Sequence, residues 1–207
     1  MKLSRQKAQK PMLEARNIHF SYSGQSPLFS GLNLSVLPYD RLALVAPSGA
    51  GKTTLCKLLA GYQKADQGTI LLDGSALPEK GACPVQLIWQ HPEQAVDPHM
   101  RMKAVLGEAG ATDVVQQQKL GIRSEWLARR AHELSGGELQ RFCIARALAA
   151  KPRYLIADEI STMLDAVTQA LVWQVLLEEC SEHKIGLVFV SHSPALIRRI
   201  ATRVLEL

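Results

Sequence analysis

Between Ala43 and Leu55 the chain reads ALVAPSGAGKTTL: an apolar run, a glycine-rich turn, then Lys52-Thr53 at the head of an amphipathic stretch. That order of strand, loop and helix is the ground plan of an α/β domain. The turn follows the phosphate-loop pattern G-x-x-x-x-G-K-[ST] except at its first position, where Ala46 stands for glycine. Phosphate oxygens need several backbone N–H groups converging on one point. Gly49 and Gly51 allow close approach and positive φ, and the helix N-terminus adds its partial positive charge. In this reading Ser48, Gly49, Ala50, Gly51, Lys52, Thr53 and Thr54 surround the phosphates. Lys52 reaches the β- and γ-phosphates, and the Thr53 hydroxyl ligates Mg²⁺. A ligand-free glycine-rich turn is the alternative. Ala46 lies at the strand exit, where a Cβ costs about 1 kcal/mol only if that position needs positive φ.

The remaining chain repeats the strand–helix theme. Leu32, Leu34 and Val36 alternate as a half-buried strand does, and RLALVA (41–46) and GTILLDG (68–74) read as further strands. VQLIW (85–89), YLIA (154–157) and GLVFV (186–190) are continuous apolar runs, expected of strands covered on both faces. After Lys52, Leu55, Leu58 and Leu59 share one helical face and Gly61 can close the helix. In SPALIRRI, Ser193 is an N-cap and Pro194 takes the first helical position. Residues 91–134 hold no convincing strand; VVQQQKLG and SEWLARRAHEL read as helices of a small inserted lobe. The expected fold is a phosphate-loop NTPase core, α/β with a largely parallel sheet, N-terminal antiparallel strands and an inserted small helical lobe, all in one domain.

Several function classes are set aside by composition. No run of about 18 apolar residues exists to span a membrane, and MKLSRQKAQKP lacks the apolar stretch of a secretory signal. Cys56, Cys83, Cys143 and Cys180 lie 27, 60 and 37 residues apart, without metal-ligand spacing, and read as small core residues in a reducing compartment. The net charge is +5, but Lys2, Arg5, Lys7 and Lys10 precede the first acid, Glu14, and leave the body close to +1. Residues 1–11 therefore read as a solvated basic tail rather than as the mark of a nucleic-acid binder.

Two further motifs carry chemistry. YLIADE (154–159) ends a strand in Asp158 and Glu159 at the carboxyl edge of the sheet, where ligands of open α/β sheets bind. Asp158 can hold Mg²⁺ through water and Glu159 can polarise an attacking water; an acidic strand-end turn is the plainer reading. In LSGGELQR (134–141), Ser135 and Glu138 form a capping box opening a helix along Leu139, Phe142 and Ala145. Gly136 and Gly137 cost that first turn about 1 kcal/mol each relative to alanine. They make more sense if the N–H groups there receive an anion.

Taken together, these motifs resemble the ATP-binding-cassette (ABC) ATPases over nearly the whole chain. LSGGELQR is similar to that family's signature. Around it stand Tyr22 in FSYSG, the phosphate loop, Gln90 after a strand, the helical lobe, Asp158-Glu159, STMLD and VSHS, in the family's order. The resemblance implies ATP hydrolysis with Mg²⁺ held by Thr53, Gln90 and Asp158. Tyr22 would stack on adenine, and Gln90 would sense the γ-phosphate or Mg²⁺. Ser135, Gly136, Gly137 and Glu138 would form the turn that takes the γ-phosphate of ATP bound to a second cassette. Asp165 would lie at the subunit junction and His192 would contact the γ-phosphate. Lys52, Gln90, Glu159 and His192 are the expected catalytic set.

The stretch QHPEQAVDPHMRM (90–102) is similar to the peptide and nickel importer branch, which tends to read Q-D-x-x-x-A/S-V/L-N-P-R-M-T-V. Val96, Pro98 and Met100 fit; Asp97, His99 and Arg101 depart. DEISTMLD carries Ile160 where the family usually has proline and Met163 where it has alanine. The implied protein is a cytoplasmic subunit, peripheral on the inner face of the cell membrane. It pairs with a second cassette (a copy or a relative), integral-membrane permease subunits and an extracytoplasmic substrate-binding protein, and with no nucleic acid. A hydrolytically weak regulatory subunit and an energy-coupling-type metal or vitamin importer ATPase are the alternatives.

Overall fold

The computed structural model describes residues 12–207; the basic tail, 1–11, lies outside the described residues. In chain order the elements are β1 (Leu13–Phe20), β2 (Phe29–Val36), β3 (Arg41–Val45), α1 (Lys52–Leu59), β4 (Gln67–Leu72), β5 (Ser75–Ala76), β6 (Val85–Ile88), α2 (Met102–Glu108), α3 (Val114–Lys119), α4 (Gly136–Ala149), β7 (Tyr154–Asp158), α5 (Ala166–His183), β8 (Gly186–Val190), α6 (Pro194–Ile200) and β9 (Arg203–Glu206).

The strands form two sheets. One is antiparallel with order β2-β1-β4-β5; the other has five strands in the order β6-β7-β8-β3-β9, all its pairs parallel. The antiparallel strands are thus a layer of their own rather than an edge of the central sheet, and β4, the expected strand of 68–74, belongs to that layer.

Why the central strands are apolar throughout follows from their two faces. Leu42, Leu44, Ile156, Val188 and Val190 point into a core shared with Leu13, Ile18 and Val36 of the antiparallel sheet and Leu55, Leu58 and Leu59 of α1. Their neighbours Ala43, Leu155, Ala157, Leu187 and Phe189 point the other way, into a core shared with α4 and α5. Alternate side chains leave a strand on opposite faces, so only a strand covered on both sides can do without polar residues.

The segment 91–134 holds α2, α3 and three short 3₁₀ turns at Pro92–Ala95, Ser124–Ala128 and Ala131–Glu133, with a single bridge, Arg101 to Arg130, besides. SEWLARRAHEL, expected to be helical, is 3₁₀ rather than α. Its Trp126 is buried beneath the guanidinium groups of Arg123 and Arg141, 5.4 and 4.9 Å from the ring, and tertiary anchoring of this kind overrides helix propensity. Met102, Val105, Leu106, Leu120 and Trp126 join the same core as α4 and α5.

Cys56, Cys143 and Cys180 are core residues as expected, and burial pushes the Cys143 and Cys180 thiols up to about 12. Cys83 departs from that expectation. It is half-buried, in the loop entering β6.

Candidate functional site

Four strands deliver the site at one edge of the parallel sheet. β3 runs into the phosphate loop, β7 ends at Asp158, and Gln90 and His192 each lie two residues past the ends of β6 and β8. Parallel register does the alignment. Ile88 pairs with Ala157 and Asp158 with Val190, so two residues further on Gln90 stands beside Glu159, and His192 follows on its other side.

The Glu159 carboxylate is held from both flanks. Its Oε2 accepts from Gln90 Nε2 at 3.0 Å, and its Oε1 lies 2.9 Å from His192 Nε2. The backbone of Glu159 is left-handed, with φ 48°, a conformation that costs a non-glycine residue free energy and concentrates at functional sites. Nothing in the sequence announces that turn. Ile160, standing where the family's proline would be, is buried, 2% exposed, so packing instead of a ring fixes the chain after Glu159.

In the phosphate loop, Gly49 and Gly51 take φ 84° and 93°, as the loop geometry requires. At Gly51 there is a second constraint: a Cβ would meet Leu28 Cδ2 at 2.7 Å and Phe29 Cζ at 2.9 Å. Ala46 is not among the non-glycine residues of positive φ, so alanine sits at the strand exit without strain. The Lys52 ammonium, buried, folds back into the loop and donates to the carbonyls of Ala46 (2.9 Å) and Pro47 (3.1 Å).

Asp158 is 3% exposed and its Oδ1 has no hydrogen-bond partner. Burial raises its carboxyl above the ordinary range and the Glu159 charge adds to this, while the Thr53 hydroxyl, Lys57 and Lys52 oppose it. A buried carboxylate oxygen without a partner calls for a ligand. Among the described residues no group of three or more His, Cys, Asp or Glu side chains could cage a metal. The orphaned Asp158 carboxylate with the Thr53 hydroxyl beside it fits the needs of Mg²⁺, which takes one or two protein oxygens and completes its shell with water and phosphate.

Tyr22, 44% exposed, lies edge-on to Phe20 at 5.0 Å, its hydroxyl 2.9 Å from that of Thr54. The aromatic is thereby anchored to the first turn of α1, a link the sequence did not suggest.

Ser135 and Glu138 form the expected capping box: the Ser135 hydroxyl accepts from Glu138 N (3.3 Å) and the Glu138 carboxylate from Ser135 N (2.8 Å). The N–H groups of Gly136 and Gly137, in the first turn of α4, have no intrahelical acceptor. Among the described residues, no hydrogen bond joins Ser135, Gly136 or Gly137 to the phosphate loop, Glu159 or His192. Asp165 is the N-cap of α5, accepting from Thr168 N (3.0 Å), the Thr168 hydroxyl (2.7 Å) and Val167 N (3.0 Å), and these bonds hold its carboxyl below the ordinary range.

The family model described as "ABC transporter" matches residues 29–162. An Fe(3+) ions import ATP-binding protein of Mesorhizobium japonicum is 34% identical over 197 residues, 88% of this chain and 54% of that protein. A nickel import system ATP-binding protein of Staphylococcus aureus is 30% identical over 210 residues, 95% of this chain and 86% of that protein. The chain thus spans about half the length of the iron-import relative and most of the nickel one. Among solved structures, a bacterial ABC transporter cassette in dimeric form superposes with a TM-score of 0.82 at 20% identity, over 94% of each chain. That likeness shows the fold alone.

Proposed function

The chain belongs to the ABC transporter family, and on that premise we propose that it is the ATP-hydrolysing, nucleotide-binding subunit of an importer. Two such cassettes close around two ATP molecules and drive a membrane permease. The observation that carries this reading is the Glu159 carboxylate held between Gln90 and His192 beside the phosphate loop.

Each residue then has a defined task. The N–H groups of Ser48 to Thr54 and the Lys52 ammonium hold the phosphates, Lys52 exchanging the carbonyls of Ala46 and Pro47 for phosphate oxygens. Tyr22 offers its exposed ring to adenine. Thr53, Asp158 and Gln90 would hold Mg²⁺, which neutralises charge on the β- and γ-phosphates. Glu159 accepts a proton from the attacking water, and His192 and Gln90 orient it. Gly136 and Gly137 present their N–H groups, with Ser135, to ATP on the opposing cassette. The absence of hydrogen bonds from this turn to the chain's own phosphate loop supports a site shared between two chains.

For the permease, a groove of about 460 Å³ lies between the Gln90 segment and the helical lobe, lined by Tyr62, Gln86, Trp89, Gln94, Glu108 and Arg146. Trp89 carries Tyr62 on its edge and Lys57 over its face, an amphipathic surface suited to a partner helix. Among the described residues no helix is long and apolar enough to cross a membrane. The nickel-import relative and the 90–102 stretch support nickel or peptides as cargo, delivered by an extracytoplasmic binding protein.

Glu159→Gln tests the reading. Hydrolysis should fall about a hundredfold or more, the weight of a general base, while an ATP-bound dimer accumulates in light scattering. A monomer at saturating ATP would contradict the shared site. Uptake of nickel and of short peptides, measured with the co-purified permease, decides the cargo.

A further inference from the structure

Met163, in the loop that leaves Glu159, touches the signature turn of its own chain. The loop Glu159–Asp165 is pinned along its length. Thr162 donates to the Glu159 carbonyl through N (3.3 Å) and through Oγ1 (3.1 Å), and Leu164 N donates to Ser161 O at 3.2 Å. The Ser161 hydroxyl accepts from Gln169 Nε2 (2.9 Å) and Trp173 Nε1 (3.3 Å) of α5, and Asp165 caps that helix. What remains free of this rigid loop rests on α4. A Cβ at Gly136 would lie 2.7 Å from Met163 Sδ, and one at Gly137 would lie 3.0 Å from Leu164 Cδ2 and 3.2 Å from Met163 O.

Neither glycine has positive φ, so backbone conformation does not require them. Close approach does. Gly137 is small because the loop bearing Glu159 lies against it, and at Gly136 the Met163 thioether occupies the space a Cβ would take.

We propose that Met163 is a positioning residue: its thioether, lying on Gly136, holds the signature turn at a fixed place relative to Glu159. One loop thereby sets both the carboxylate that serves this chain's ATP and the N–H groups that serve the opposing chain's. Met163 is 46% exposed, so burial in the core does not account for its side chain. The proposal rests on the shared-site reading above.

The contacts differ in a testable way. At Gly136 the three nearest atoms all belong to the Met163 side chain, whereas at Gly137 one is backbone. In the Glu159→Gln background, three quantities are measured: ATP-driven dimerisation by sedimentation, nucleotide affinity of the monomer with a fluorescent ATP analogue, and melting temperature. Met163→Ala should weaken dimerisation about fivefold to tenfold, the coupling typical of residues in contact. Monomer affinity and melting temperature should hold, and Met163→Leu should retain dimerisation. Gly136→Ala, which displaces the thioether, should weaken dimerisation about as much as Met163→Ala and add nothing to it, while Gly137→Ala should remain damaging in either background. Unchanged dimerisation in Met163→Ala overturns the proposal, as does an equal loss in monomer affinity or melting temperature, or additive damage in the Gly136 pair. If Glu159→Gln itself stays monomeric with ATP, the shared-site reading fails first and takes this proposal with it.

Discussion

Replacing Gly51 by alanine, with Gly49→Ala beside it as a control, separates two reasons for glycine in the phosphate loop. Both positions have φ near the left-handed region, 93° and 84°. A Cβ there costs about 1–2 kcal/mol from its own backbone. Their surroundings differ. Around Gly49 nothing lies within 4 Å of an added Cβ, whereas at Gly51 it would meet Leu28 Cδ2 at 2.7 Å, Leu28 Cγ at 2.8 Å and Phe29 Cζ at 2.9 Å. Leu28 is half-buried and can turn aside, but Phe29 is 6% exposed and packed in the core beside α1. Overpacking of this kind adds about 1–3 kcal/mol. Gly51→Ala should therefore destabilise the chain by about 2–5 kcal/mol and Gly49→Ala by about 1–2 kcal/mol. Urea unfolding of the nucleotide-free protein measures both, provided the slope m stays constant between variants. Equal losses, within about 0.5 kcal/mol, the usual range of an inconsequential change, would refute the claim that Leu28 and Phe29 close over Gly51.

Two other changes follow from the same geometry. Ala46→Gly should shift ATP affinity less than about threefold and lower stability by about 0.5–1 kcal/mol, because it removes no strain and adds backbone freedom; a switch from no hydrolysis to full hydrolysis in an ATPase assay would mean that Ala46 disables the loop. For acid stability, the Arg153 guanidinium, 2.5 Å from Asp73, holds that carboxyl below its ordinary value, with Met12 N–H adding to the effect. A depressed folded pKa stabilises the protein above the unfolded value and is lost as pH falls through the folded one. Asp73→Asn should thus flatten the acid limb of a stability–pH curve below about pH 4 and leave the neutral region little changed, since both side chains are more than a third exposed and screened by water.

Much of the fold was legible because its signals are local. The capping box of Ser135 and Glu138, the Ser193-Pro194 start of α6 and the Gly61 close of α1 are decided within four residues. The apolar runs of β7 and β8 announced burial on both faces because no other environment tolerates them. SEWLARRAHEL, read as helical, forms two short 3₁₀ turns instead, with Trp126 packed under two arginines, one of them from α4 and out of reach of any local pattern. Cys83 misled because burial depends on what a loop packs against, which residue type does not encode.

The amino-acid sequence carried the central apolar strands, the phosphate loop with its two glycines, and Asp158 and Glu159 as candidates, while Gln90 and His192 were picked out only through the resemblance to the family. Only the tertiary structure decided that Glu159 is left-handed and gripped by Gln90 and His192, residues 69 and 33 positions away. It also decided that the antiparallel strands form a separate sheet, and that Met163 lies on Gly136. The physical reason is one of range. Periodicity, capping and turn chemistry act over a few residues and are written in the chain, whereas parallel register and side-chain contact arise only when distant strands pack, and no local pattern carries them.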